Sequence, residues 1–186
     1  MNCLLAGVGG QGTVLASKIL AQCAINRGLF ARTAETIGMA QRGGCVVSHV
    51  RIGENISSPL IPIGEADLII ALEPGEAVRC LPYLKENGAI VVNSVAIKPV
   101  SDALSQTAYT ADAMLCFLQQ QVKRLVVVDG NAACAALGSP KVLNLILLGA
   151  AAKNNLLEFT SEEFLRVIDE KIPEKFRELN KKAILQ

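Results

Sequence analysis

Glycines 7, 9 and 12 of Gly7-Val8-Gly9-Gly10-Gln11-Gly12 follow a short apolar run and open a segment of helical periodicity. In that setting the first glycine permits a tight turn and the second lets a diphosphate approach the backbone. The third allows close helix–strand packing. The start of the helix then offers unbonded N–H groups and the positive end of its dipole to an anion. Gln11 and Thr13 stand beside the turn as side-chain donors. The same glycines also suit packing alone, and both uses stay open at this level. A dinucleotide site asks for more, an acid about 20 residues on at the end of the second strand. Glu35 lies 23 residues past Gly12 and beyond that expected strand, which makes the match loose.

A second group is Thr36-Ile37-Gly38-Met39-Ala40-Gln41-Arg42-Gly43-Gly44. Arg42, held between glycine bends, can present a planar fork to a phosphate or carboxylate; a solvated loop arginine is the alternative. Other chemistry is thin. No Gly-x-x-x-x-Gly-Lys-Ser/Thr run marks a nucleotide-hydrolysing loop. His49, the single histidine, falls mid-strand without a triad-like neighbourhood, as a residue that is hydrogen-bonded or faces solvent. Asp129-Gly130-Asn131 is expected to be a turn and helix start, not a metal ligand set. The six cysteines, at 3, 23, 45, 80, 116 and 134, show no Cys-x-x-Cys spacing. They suit free or buried thiols in a reducing cytosol and argue against an iron–sulfur or zinc site on this chain. Nothing assembles nucleophile, base and oxyanion stabiliser.

The elements that must position these groups follow from periodicity. Residues 2–7 make a buried first strand, and Gln11–Arg27 a helix with Gly28 as its stop. Strands are expected at Leu29–Thr33, Cys45–Ile52, Asp67–Leu72, Ala89–Asn93 and Leu125–Val128. On the third of the six strands, Val46, Val50 and Ile52 share one face, with His49 and Arg51 on the other. A helix from Pro74 to about Leu84 separates two of the strands. Apolar strands divided by helices predict an α/β, Rossmann-like three-layer domain with a mostly parallel sheet. The eleven residues Ala34–Gly44 are too few for a parallel crossover, so an antiparallel pair and a mixed sheet are expected there. Ser94–Thr110 is the expected irregular linker. Helices follow at Pro140–Asn154, at Ser161–Lys171 behind Thr160, and from Pro173 to about Lys182. The expected organisation is one domain over 1–186, a core over 1–139 with C-terminal helices over 140–186.

Composition bounds the function. The chain has 186 residues, 51% hydrophobic and 19% charged, with no Trp, two Tyr and five Phe. That is too apolar for a disordered chain. Eighteen Lys and Arg against 17 Asp and Glu leave no basic field for nucleic acid. Asn144 breaks the longest apolar window, and the first residues lack a basic segment, so neither a membrane span nor a signal peptide is expected. A cytoplasmic location is expected.

The pairing of Gly7–Gly12 with Gln41-Arg42-Gly43-Gly44-Cys45-Val46-Val47-Ser48-His49-Val50-Arg51-Ile52 resembles the gamma-type subunit of the 2-oxoacid:ferredoxin oxidoreductases. Within that family the chain is most similar to the small, beta subunit of the indolepyruvate enzymes. The likeness extends through Asp67–Asn93 and the run Gly138-Ser139 … Asn144 … Leu148-Gly149-Ala150, and is looser over Thr110–Gly138. It implies a heteromeric enzyme that oxidatively decarboxylates a 2-oxo acid, indolepyruvate or another aryl pyruvate, to an acyl-CoA. Ferredoxin would take the electrons. Thiamine diphosphate, Mg and iron–sulfur clusters would sit on a larger partner subunit, because this chain lacks a Gly-Asp-Gly … Asn-Asn run and cluster-spaced cysteines. This chain would bind no cofactor tightly. Its implied share is assembly and the coenzyme A side of the site, through Gly7, Gly9, Gly10, Gln11, Gly12, Thr13, Arg42, Gly43 and Gly44. A free-standing NAD(P)- or flavin-binding reductase is the alternative. So is an adaptor whose turn binds nothing.

Overall fold

The computed structural model describes residues 1–37, 44–54, 56–97 and 109–186. Strand β1 (Asn2–Val8) runs into helix α1 (Thr13–Asn26), and β2 (Ala31–Ile37) and β3 (Cys45–Ile52) follow. Then come β4 (Ala66–Ala71), α2 (Pro74–Cys80), β5 (Leu84–Asn93), α3 (Ala111–Gln121) and β6 (Arg124–Val128). Helices α4 (Gly130–Leu137), α5 (Leu143–Lys153), α6 (Ser161–Lys171) and α7 (Glu174–Leu185) end the chain.

The strands form one sheet in the order β2-β3-β1-β4-β5-β6. β1, β4, β5 and β6 are mutually parallel, whereas β3 is antiparallel to β1 and β2 antiparallel to β3. The mixed sheet expected from the short second connection is therefore present. Helices cover both faces, which is why β1 and β4 carry unbroken apolar runs. Alternation sorts the side chains: Cys3, Leu5, Val50, Leu68, Ile70 and Val91 pack against α1, α5, α6 and α7. Leu4, Ala6, Ile69, Ile90 and Val92 pack with Ala77, Cys80 and Leu118 of α2 and α3.

Several boundaries differ from expectation for local reasons. The second strand is Ala31–Ile37, not Leu29–Thr33. Gly28 (φ +77°) closes α1 with its N–H on Ile25 O, and the Leu29 N–H returns to Ala24 O, so Leu29 belongs to the helix stop. The helix from Pro74 ends at Cys80, and Leu81–Tyr83 tightens to a 3₁₀ turn. β5 then starts at Leu84, earlier than Ala89, where Gly88 lies so close to the Ala66 carbonyl that a Cβ would approach it to 2.9 Å. Helix α3 was not assigned from the sequence at all. Only Leu118 of its run is buried, so it shows little periodicity.

The C-terminal helices are held by a cross-connection at one corner. Arg27, just past α1, makes a two-pronged pair with Glu163 of α6, its Nη2 donating to Oε2 at 2.6 Å. The same Nη2 donates to Glu158 O at 2.7 Å, and the guanidinium covers the Phe159 ring at 4.7 Å. Glu163 also completes the capping box of α6 with Thr160, as the Thr160-Ser161-Glu162-Glu163 run predicts.

Candidate functional site

The glycine turn sits where β1 ends, between an antiparallel neighbour and a parallel one. This is the position at which open α/β sheets form a crevice beyond their strand ends. Gly10 and Gly12 hold φ of +101° and +83°. The Gln11 side chain closes the turn from inside: Oε1 accepts the Val8 N–H at 2.7 Å and Nε2 donates to Leu72 O at 3.2 Å. A Cβ on Gly7 would lie 2.8 Å from that Oε1, which is the reason for glycine there. Thr13 is buried beneath the turn, its methyl facing Gly7. The Gly9 N–H donates to Gly44 O at 2.8 Å, bringing the far end of the second glycine segment against the first. Arg42 and Gly43 lie outside the described residues.

Two asparagines that the site depends on were not singled out as site residues. Asn144 of α5, buried, donates from Nδ2 to Gly12 O at 2.9 Å, and a Cβ on Gly12 would meet that nitrogen at 2.7 Å. Asn93 at the end of β5 donates to Leu72 O at 3.2 Å and accepts the Gly130 N–H at 3.1 Å. Together they fix the ends of β4 and β5 and the starts of α1 and α4 around one crevice. It has a volume of about 300 Å³ and is lined by Gly10, Gln11, Asn93, Gly130, Asn131 and Lys141, among others. A buried asparagine inside an otherwise apolar helix is the signal that could have found Asn144.

The helix starts around this crevice are not equivalent. Asp129 caps α4, its Oδ1 accepting the Ala132 N–H at 3.0 Å, and Glu73 caps α2 in the same way at 2.9 Å. A carboxylate at either N-terminus already answers the helix dipole. Helix α1 is capped by Gly12 with no side-chain acceptor and has no acid in its first turn. The positive end of α1 is therefore left without a side-chain partner, and Gly10 and Gln11 just before it line the crevice together with Lys141. Asp129-Gly130-Asn131 is the turn and helix start expected.

The pyruvate ferredoxin/flavodoxin oxidoreductase family matches residues 2–186. The chain belongs to this family. It is 37% identical to the indolepyruvate oxidoreductase subunit IorB of Archaeoglobus fulgidus, over 99% of this chain and 92% of the relative. The gamma subunit common to the pyruvate and ketoisovalerate oxidoreductases of Pyrococcus abyssi is 33% identical over 79% of this chain and 74% of its own. Among solved structures, the gamma subunit of a keto/oxoacid ferredoxin oxidoreductase from Geobacter sulfurreducens superposes with a TM-score of 0.69. It is 26% identical and covers 98% of this chain and 93% of its own. A 2-oxoglutarate:ferredoxin oxidoreductase from Magnetococcus marinus, with 2-oxoglutarate, coenzyme A and succinyl-CoA bound, shares the fold at a TM-score of 0.72 and 17% identity. The match covers 99% of this chain and 29% of the longer one. The gamma-type resemblance read from the two glycine segments and the α/β fold expectation are both borne out.

In this gamma-type chain the other sequence candidates are structural. His49 is buried, its Nδ1 accepts the Ile61 N–H at 3.2 Å, and Tyr83 meets it edge-on. Desolvation lowers its pKa, so it is a neutral strand residue of the hydrogen-bonded kind expected. Glu35 is exposed on β2, and β3 stands between that strand and β1. The acid that a dinucleotide ribose would use is thus one strand removed from the turn. Burial pushes the Cys23 and Cys80 thiols up to about 12 and Cys45 to about 11, which keeps them protonated and poor as metal ligands. Among the described residues no three His, Cys, Asp or Glu side chains group to hold a metal ion. No described helix is long and apolar enough to cross a membrane.

Proposed function

We propose that this chain supplies the coenzyme A side of the active site in a 2-oxoacid:ferredoxin oxidoreductase that acts on indolepyruvate or a related aryl pyruvate. As a member of the family it is the small, gamma-type subunit of such an oxidoreductase complex. The observation that carries the finer reading is the uncapped start of α1, preceded by Gly10 and Gln11 in a crevice that Lys141 also lines. Coenzyme A presents a diphosphate and a further phosphate, the chemistry that unbonded helix N–H groups and point cations hold. The bound coenzyme A of the Magnetococcus relative supports the choice of ligand. The IorB relatives, at 31–37% identity over nearly the whole chain, support the aryl substrate.

In this reading Gly9 and Gly10 keep Cβ atoms away from the ligand path, while Gly7 and Gly12 make room for the Gln11 and Asn144 side chains that shape the turn. Gln11 holds the turn rigid while lining the crevice, and Thr13 packs beneath it. Arg42, with Gly43 and Gly44 shaping its approach, adds a guanidinium to the phosphates, and Lys141 adds an ammonium. This subunit's part is to bind and orient the thiol carrier and to assemble with a larger subunit. That subunit is assigned thiamine diphosphate with its Mg ion and the iron–sulfur clusters, which supply the carbanion and electron-transfer chemistry and pass electrons to ferredoxin.

The test is steady-state kinetics of the assembled complex. Arg42→Ala and Lys141→Ala should each raise the apparent KM for coenzyme A by roughly 5- to 30-fold, the worth of one charge-assisted contact, with kcat largely kept. Gly9→Val, which obstructs the backbone approach, should raise it as well. An unchanged KM in all three variants overturns the coenzyme A assignment. Equal kcat/KM for pyruvate and indolepyruvate overturns the substrate assignment.

A further inference from the structure

The two edges of the sheet differ. On the outer strand β2, Arg32 and Glu35 are exposed, and charge on an edge discourages further pairing. On the other outer strand, β6, the run Leu125-Val126-Val127-Val128 carries no charge after Arg124 and no proline. Val127 is 41% exposed, and Phe117 of α3, in the helical layer on the same side of the sheet, is 42% exposed. Val128 O accepts the Ser94 N–H from the end of β5. By alternation, the backbone groups of Arg124, Val126 and Val128 are directed into the sheet, and those of Leu125 and Val127 outward, without a partner among the described residues.

We propose that two copies of this chain pair along β6, antiparallel about a two-fold axis at Val126, to join their six-stranded sheets into one continuous sheet. Charge complementarity selects a second copy as the occupant. Lys123 precedes the apolar run and Asp129 follows it, each three residues from Val126. In this register Lys123 of one copy lies opposite Asp129 of the other, twice over, as a self-complementary interface requires. The same register places Leu125 opposite Val127, the two residues with outward N–H and C=O groups, so they form the hydrogen-bonded pairs. Val126 meets its own counterpart as a non-hydrogen-bonded pair, with Cα atoms about 4.5 Å apart. Phe117 and Val127 of both copies then share the α3 side of the junction and leave solvent together.

The mass of the full-length chain in solution tests this by sedimentation at about 10 μM, together with disulfide trapping. The wild type should run at twice its 19.7 kDa. Val127→Lys should raise the dimer dissociation constant at least 100-fold with unchanged far-ultraviolet circular dichroism. Lys123→Glu should weaken the dimer, and adding Asp129→Lys should restore it. In a Cys116→Ser background, Val126→Cys should cross-link under mild oxidation. Leu125→Cys, displaced from its own counterpart, should not. A monomeric wild type, a dimer that survives Val127→Lys, or cross-linking at 125 in place of 126 overturns the proposal. A monomeric chain whose Val127→Lys variant fails to bind the larger subunit also overturns it, assigning the edge to that subunit.

Discussion

At the scale of single residues, the turn after β1 depends on contacts from far along the chain. Gly12 combines a left-handed backbone with an amide nitrogen 2.7 Å from where a Cβ would be. Gly12→Ala should therefore cost about 2 kcal/mol or more in urea denaturation, through strain and the displaced Asn144. Glu163 makes a prediction in pH. Its bond with Arg27, against the opposing effect of burial, holds the carboxyl at about 2, well below the usual carboxylate range. A carboxyl whose pKa is depressed in the folded state stabilises the fold above its unfolded pKa, and that contribution disappears as pH falls through the folded value. Glu163→Gln should be less stable than wild type by roughly 1 kcal/mol at pH 7, since solvent still screens the pair. The gap between the two melting curves should close between about pH 5 and pH 1. A gap that persists at about pH 1 would show that the loss comes from packing, not charge.

Elements reveal what the sequence could and could not show. Runs with an unambiguous period were legible: β1, β3, β4 and the capped helix α6 stand within a residue or so of expectation. Leu29 misled because an aliphatic residue next to a glycine resembles a strand start, whereas the helix-closing bonds there depend only on backbone. α3 escaped because Met114, Leu115, Cys116, Phe117 and Leu118 are consecutive, and a partly exposed helix shows no clean stripe. The glycine turn was visible from local spacing. Asn144 brings its side chain to it from 132 residues beyond Gly12, and Asn93, 81 residues beyond, reaches the Leu72 carbonyl that Gln11 also bonds, distances at which no local pattern speaks. Close contact between elements is likewise invisible in advance. On Gly149 of α5 a Cβ would lie 2.2 Å from Ile184 O of α7, backbone that cannot turn aside. Gly149→Ala should push α7 outward and lower the urea midpoint by the equivalent of about 1–3 kcal/mol. A midpoint unchanged from wild type would mean that the two helices separate freely.

For the molecule as a whole, the C-terminal helices complete the same face that α1 begins, so they are part of the core and not an appendage to it. Leu145, Leu148, Phe164, Val167, Ile168 and Ile184 are fully buried there, on the side of the sheet carrying Cys3, Leu5 and Leu68. A fragment ending at residue 139 would present that face to water. It should unfold without a cooperative transition and bind a hydrophobic dye, whereas the full chain should melt in one step. A sharp transition in the fragment would show that residues 1–139 fold alone.

The bond from Asn144 to the Gly12 carbonyl also sets a timetable. During synthesis the glycine turn precedes Asn144, which holds its Gly12 carbonyl, by 132 residues. At roughly 5–20 residues per second, it waits many seconds with β1 made and Asn144 absent. Strand β1 is thus made long before one of the side chains that hold its turn. The crevice beside the turn therefore takes its final shape only once Asn144 has been made.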